Sequence, residues 1–263
     1  MNTRASIWRK FLLSEGDGVL KKRKMYHNIV AKFPYQCDDN IIKEIKRDIP
    51  RTIFNNPLPS KTQKVIETLL RQYVQIMPCD GYLQGFNYIM ALLYDVYSKD
   101  DVEHALSDTW WSMVSIISIV RPMIPDHDPN DFMRYSNKWS KHYKNYLKQK
   151  SNRLHTFLTP HYNMLIPTIT AKWLLIWFTQ VFNLEDIKII WDALITCESR
   201  CRTKLMAVIA ANITIQHTSH IEAVVREAPS EVIGKIISLT AKDAEIIVKN
   251  SRLAMIEYKL PGV

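Results

Sequence analysis

The stretch Ile45-Lys46-Arg47-Asp48-Ile49-Pro50-Arg51-Thr52 puts an arginine directly after a proline and three residues after an aspartate. Proline fixes the local backbone and disfavours the helical region for the residue before it. A helix running from about Asn40 is therefore expected to end near Asp48, leaving Arg51 on a stiff corner. Asp48 can brace either the stem of the guanidinium or the corner itself. Further along, Tyr82-Leu83-Gln84-Gly85-Phe86-Asn87 follows a break at Pro78-Cys79-Asp80-Gly81 and opens an apolar helix reaching about Tyr97. Gln84 is expected at or near that helix's start, where a primary amide donates and accepts hydrogen bonds and the helix dipole favours negative charge. Gly85, with no Cβ, lets another backbone come close. Each motif alone reads equally as a surface arginine in a turn, or as a capping glutamine beside a packing glycine. Together, in a chain without a phosphate-cradling loop, they suit a protein that completes another protein's phosphate site. An arginine supplied from outside stabilises charge on a transferring phosphoryl group, and an amide orients the attacking water.

The elements that must hold these residues are helices. The chain has 263 residues, 47% of them apolar, which is enough for a sizeable core in one large domain or two small ones. It has only six glycines, no convincing period-two alternation and no internal repeat. Breaks at Pro57-Leu58-Pro59, Pro78, Pro122 to Pro129, Pro160, Pro167 and Pro229 cut it into helix-sized pieces. We read the fold class as all-α. The start is basic and free of acids through Leu13; it reads as a first helix with Ile7, Trp8, Phe11 and Leu12 on one face, in preference to a transit peptide. The longest uncharged apolar stretches, such as residues 173–184, fall well short of the roughly 20 residues of a membrane-spanning helix. Four scattered cysteines, Cys37, Cys79, Cys197 and Cys201, suit reduced thiols in an intracellular protein.

The net charge of +9 is uneven: residues 132–154 hold seven Lys or Arg and no acid. Phe132, Tyr135, Trp139, Tyr143 and Tyr146 recur there at helical spacing, while Arg134, Lys138, Lys141 and Lys148 fall on another face. An amphipathic helix with buried aromatics and a solvated basic face is the plain reading. Peripheral contact with an acidic membrane or an acidic partner is the alternative. Nucleic acid is set aside, because the aromatics are spaced for burial and not for base stacking. Cys197 and Cys201 followed by His217 and His220 resemble zinc-ligand spacing, but the intervening RTKLMAVIAANITIQ reads as an amphipathic helix where a finger needs a hairpin. His127-Asp128 falls in a proline-rich loop, away from the helix that the metal phosphohydrolase motif requires. No metal or cofactor of its own is expected, and no complete active site is present.

With these residues in view, the chain resembles the TBC domain, the family of GTPase-activating proteins for Rab GTPases. Ile45, Asp48 and Arg51 match the family's I-x-x-D-x-x-R fingerprint, and Tyr82, Gln84 and Gly85 match Y-x-Q-G, with Asn87 following. A Trp-rich helix from Trp173, then an acidic turn before Trp191-Asp192, looks like a third, looser pattern, and Arg4, Trp8, Leu12 and Leu13 look like the family's start. Phe86 stands where the family often has Met, and residues 136–157 match nothing diagnostic. The resemblance implies a V-shaped, single all-helical domain over residues 1–263, with the finger motifs in the half ending near residue 130 and the remaining helices after it. It implies Arg51 as an arginine finger and Gln84 as a glutamine finger, with Asp48, Tyr82, Gly85 and Asn87 in support. The implied partner is a Rab-family GTPase in its GTP state, which carries the GTP and Mg²⁺. A role in vesicle trafficking follows, with a cytoplasmic location peripheral to endomembranes. A TBC-fold scaffold that binds GTPases without stimulating hydrolysis stays open as the alternative, as does a helical adaptor docking on acidic membranes.

Overall fold

Helix-favouring composition is realised: the described residues of the computed structural model form helices and short turns, with no β-strand among them. Those residues are 3–14, 16–32, 38–79, 81–124 and 128–257. Cys37 and His127 lie outside them. The chain divides into two compact units, Met1–Arg121 and Pro122–Val263.

The first unit comprises α1 (Arg4–Leu13), α2 (Asp17–Lys32), α3 (Asp39–Asp48), α4 (Ser60–Ile76), α5 (Phe86–Ser98) and α6 (Ala105–Val120). Its centre is α5, which buries Phe86, Ile89, Met90, Leu92, Leu93, Val96 and Tyr97 and packs against α4 and α6. Tyr73 of α4 meets both Phe86 and Trp110 edge-on or tilted, at ring separations of 6.2 and 6.3 Å. Helices α1 and α2 pack on α6 and are tied to it through Asp108, which is fully buried. Arg9 Nε donates to Asp108 at 2.7 Å, and Arg23 donates to it through Nε and Nη2 at 2.9 and 2.6 Å. Arg9 also reaches Asp100 at 2.7 Å and stacks over the Tyr97 ring. In α1 Trp8 and Leu12 are buried as expected, but Phe11 is half exposed and Leu13 takes the buried position instead.

The second unit comprises α7 (Pro129–Lys150), α8 (Asn152–Leu158), α9 (Tyr162–Ile169), α10 (Leu184–Thr196), α11 (Ser199–Gln216), α12 (Thr218–Glu227), α13 (Val232–Ile237) and α14 (Ala244–Glu257). Helix α11 is its core, packed between α7 and α14, with every residue from Leu205 to Thr214 buried. The expected amphipathic segment is thus buried all round over residues 205–214, because it is covered on both sides. Pro167, expected as a break, sits inside α9. The chain then leaves α9 through a wide π-helical turn at Thr170–Leu174. The Trp-rich segment is not a single helix. Trp177 and Phe178 adopt left-handed backbone (φ 48° and 64°), and both are fully buried. The Trp191 ring packs edge-on against Trp177 at 5.3 Å and its Nε1 donates to the Trp177 carbonyl at 3.0 Å, holding this reversal in place. The acidic residues Glu185 and Asp186 form the first turn of α10, capped by Asn183.

Candidate functional site

Helix α3 ends at Asp48, as the proline requires, but Ile49 keeps helical angles (φ −54°, ψ −50°). The chain tightens into a 3-10 turn over Ile49–Arg51 and becomes extended only at Thr52. Proline at this position lacks an N–H that the tighter turn does not need. Arg51 therefore closes a single rigid turn with its side chain exposed, while Asp48 and Thr52 on either side are buried.

Gln84 is likewise exposed and lies two residues before Phe86, the first residue of α5. The N-cap position falls to Gly85, not to the glutamine. Gly85 has φ 109° and ψ −18°, a left-handed conformation that residues with a Cβ rarely adopt. That backbone requirement is by itself a reason for glycine here.

The two motifs are joined by hydrogen bonds from end to end. Tyr82 Oη donates to the Asp48 carboxylate at 3.0 Å. Burial first, and then the Asp48 charge, push the phenol well above its ordinary range, so Tyr82 stays a donor at any ordinary pH. Asn87, 2% exposed, donates from Nδ2 to Thr52 Oγ1 at 2.7 Å and more weakly to the Asp48 carbonyl at 3.4 Å. Its Oδ1 accepts the Gly85 N–H at 3.0 Å, satisfying a helix-start donor. Thr52 Oγ1 in turn donates to the Asp48 carbonyl at 3.2 Å. The Asp48 carboxylate thus bonds the second motif through Tyr82, while its backbone carbonyl takes the bonds at the corner.

The arrangement is thus an exposed guanidinium and an exposed carboxamide carried on two segments whose buried residues bond to one another. All six residues singled out by sequence, Asp48, Arg51, Tyr82, Gln84, Gly85 and Asn87, fall in this cluster. Thr52 and Tyr88 were missed. Both adjoin a quoted motif, and their hydroxyls beside a polar corner were the available signal.

Other sequence features lie elsewhere. On α7, Phe132, Trp139, Tyr143 and Tyr146 are buried, and Arg134, Lys138, Lys141 and Lys148 are exposed. Two histidines lie beside these cations. Burial, then Lys204, Lys138 and Lys141, hold His142 below its ordinary pKa, and burial, then Lys148 and Lys144, do the same to His155. Cys197 ends α10 and Cys201 lies in the first turn of α11, whereas His217 follows that helix's far end. At 1.5 Å per residue, the helix separates Cys201 from His217 by about 24 Å. Among the described residues no cluster of three or more His, Cys, Asp or Glu could hold a metal, and no helix is long and apolar enough to cross a membrane.

A family model, the Rab-GTPase-TBC domain, matches residues 1–221. The growth hormone-regulated TBC protein 6 of Caenorhabditis elegans is 22% identical over 204 residues, covering 73% of this chain and 52% of that protein. TBC1 domain family member 13 of Homo sapiens is 28% identical over 141 residues, covering 52% of this chain and 35% of that one. The chain thus spans about half or less of the length of these relatives. Among solved structures, the crystal structure of the Ypt/Rab-GAP domain of Gyp1p shares the fold, with a TM-score of 0.73 at 17% identity over 97% of this chain and 88% of that chain. An all-helical fold, two polar motifs bonded to each other and a family model spanning most of the sequence lead to one conclusion: the chain belongs to the Rab-GTPase-TBC domain family.

Proposed function

We propose that this chain accelerates GTP hydrolysis by a Rab-family small GTPase, supplying Arg51 and Gln84 in trans to the partner's active site. The observation that carries the reading is the contrast in burial within one cluster. The two groups able to act on a phosphate face solvent, while the residues that hold them are buried and mutually bonded. GTP and Mg²⁺ belong to the partner in its GTP state. The planar guanidinium of Arg51 would donate to phosphoryl oxygens as negative charge shifts during transfer, and the Gln84 amide would orient the attacking water. Asp48, Tyr82, Gly85 and Asn87 position these groups and take no part in the chemistry. Action on a membrane-bound Rab would place the protein in the cytoplasm, peripheral to endomembranes, with a role in vesicle trafficking.

A phosphate-release screen of the purified protein against a panel of GTP-loaded Rabs tests the proposal. At least one Rab should be stimulated, and Arg51→Ala should remove on the order of 10³-fold of that stimulation. Arg51→Lys should be nearly as damaging, because an ammonium cannot reproduce the guanidinium fork. Binding to GTP-loaded Rabs with no stimulation of any would favour the scaffold reading.

A second role is supported by the exposed cations of α7: peripheral contact with an acidic membrane through residues 134–148. Charge reversal at Lys138, Lys141 and Lys148 should weaken sedimentation with phosphatidylserine vesicles, and added salt should weaken that of the wild type. Equal binding throughout would leave a plain solvated face.

A further inference from the structure

The buried bonds between the two motifs fix the inner side of the cluster, and on its outer side the backbone at Arg51 is held by Tyr88. Tyr88 lies in the first turn of α5, four residues after Gln84, and is half-buried. Its hydroxyl donates to the Arg51 carbonyl at 2.8 Å and accepts the Ile53 N–H at 3.3 Å. One phenol can do both, having one donor and free lone pairs. Its backbone N–H donates to the Gly85 carbonyl at 3.0 Å, next to Gln84. The ring is braced edge-on by Phe54 at 5.4 Å. The two peptide groups that flank Thr52, the first of them carrying the Arg51 carbonyl, are therefore anchored to the same helix turn that follows Gln84.

Resting on the Rab-activating reading, we propose that Tyr88 is a positioning residue that sets the angle at which Arg51 leaves its turn and its spacing from Gln84. The bonds it makes are exposed, so water replaces them readily in the unfolded chain and their net contribution to stability is small. Their effect on geometry is larger. A phosphoryl-contacting arginine works only when held near its productive position, and a displacement of about 1 Å can cost on the order of 100-fold in rate. Tyr88 acts through Arg51 and does not itself reach the phosphate.

The test compares Tyr88→Phe with wild type in single-turnover GTP hydrolysis by a responsive Rab, in both the native and the Arg51→Ala backgrounds, with thermal midpoints measured in parallel. Tyr88→Phe should lower the saturated rate by roughly ten- to a hundred-fold. It should leave the half-saturating concentration and the thermal midpoint nearly unchanged, and it should have no further effect once Arg51 is alanine. Phe54→Ala, which removes the ring's brace and leaves the hydroxyl, should give a smaller loss of the same kind. A wild-type rate for Tyr88→Phe, where Arg51→Ala is inactive, would overturn the positioning role alone. A loss that tracks a fall in thermal midpoint would overturn it in favour of a merely structural role. Full stimulation by Arg51→Ala would instead remove the finger reading on which it rests.

Discussion

Replacing Asn87 by alanine should remove one of the bridges between the two motifs at a cost that the geometry allows to be estimated. Three bonds are lost: to Thr52 at 2.7 Å, to the Asp48 carbonyl at 3.4 Å and from the Gly85 N–H at 3.0 Å. The Asp48 carbonyl keeps the Thr52 hydroxyl as a donor at 3.2 Å, so its loss is minor. The Gly85 N–H is left buried without its acceptor, a penalty of about 1–3 kcal/mol, and the short bond to Thr52 is worth about 1 kcal/mol more. The expected destabilisation is therefore about 2–4 kcal/mol, read as a lower urea midpoint with an unchanged slope. Thr52→Val removes the same short bond from the other side, so a double-mutant cycle should show a coupling of about 1 kcal/mol between positions 52 and 87. A destabilisation below about 0.5 kcal/mol, within the range of ordinary surface substitutions, would refute the claim that this bridge joins the motifs.

Gly85→Ala should destabilise by about 1–2 kcal/mol, because a Cβ disfavours the left-handed backbone there, and should lower stimulated hydrolysis by shifting Gln84; denaturation and phosphate release on the same preparation check both. Asp108→Ala should be more damaging, about 3 kcal/mol by denaturation, since it removes the buried carboxylate that Arg9 and Arg23 share and leaves them only the more exposed Asp100 and Asp101. The hydrogen bond from Arg9 holds the Asp100 carboxyl below the usual range, so its contribution is present above the ordinary carboxylate pKa of about 4 and is lost as pH falls through the lower folded value. Thermal midpoints between pH 6 and pH 3 should fall on the acid side, and Asp100→Asn should flatten part of that fall.

Helix content and the positions of the polar motifs were legible because they depend on local chemistry. Proline ended α3 at Asp48, and the aromatic spacing of α7 matches its buried face. The helix expected to follow the break at Pro78 begins only at Phe86 and runs to Ser98. What was not legible depends on contacts between distant segments. Nothing local tells that α11 is covered on both sides, or that Pro167 can be carried inside a helix running on into a π-helical turn. The bend at Trp177 and Phe178 rests on Trp191, fourteen residues further along. At the site, spacing singled out Asp48 and the family resemblance added Tyr82, but their bond spans 34 residues and required the fold.

The central claim is that this chain supplies both the arginine and the water-orienting amide. Single-turnover hydrolysis tests it most directly, using a responsive Rab whose own switch glutamine is replaced by alanine. If Gln84 provides the amide, that Rab should keep much of its stimulation, whereas Gln84→Ala should lose most of it even with the unaltered Rab. Binding to a GTP-state mimic, measured alongside, separates catalysis from docking. A Rab glutamine that proves essential, together with a dispensable Gln84, would contradict the account and leave Arg51 as the single finger.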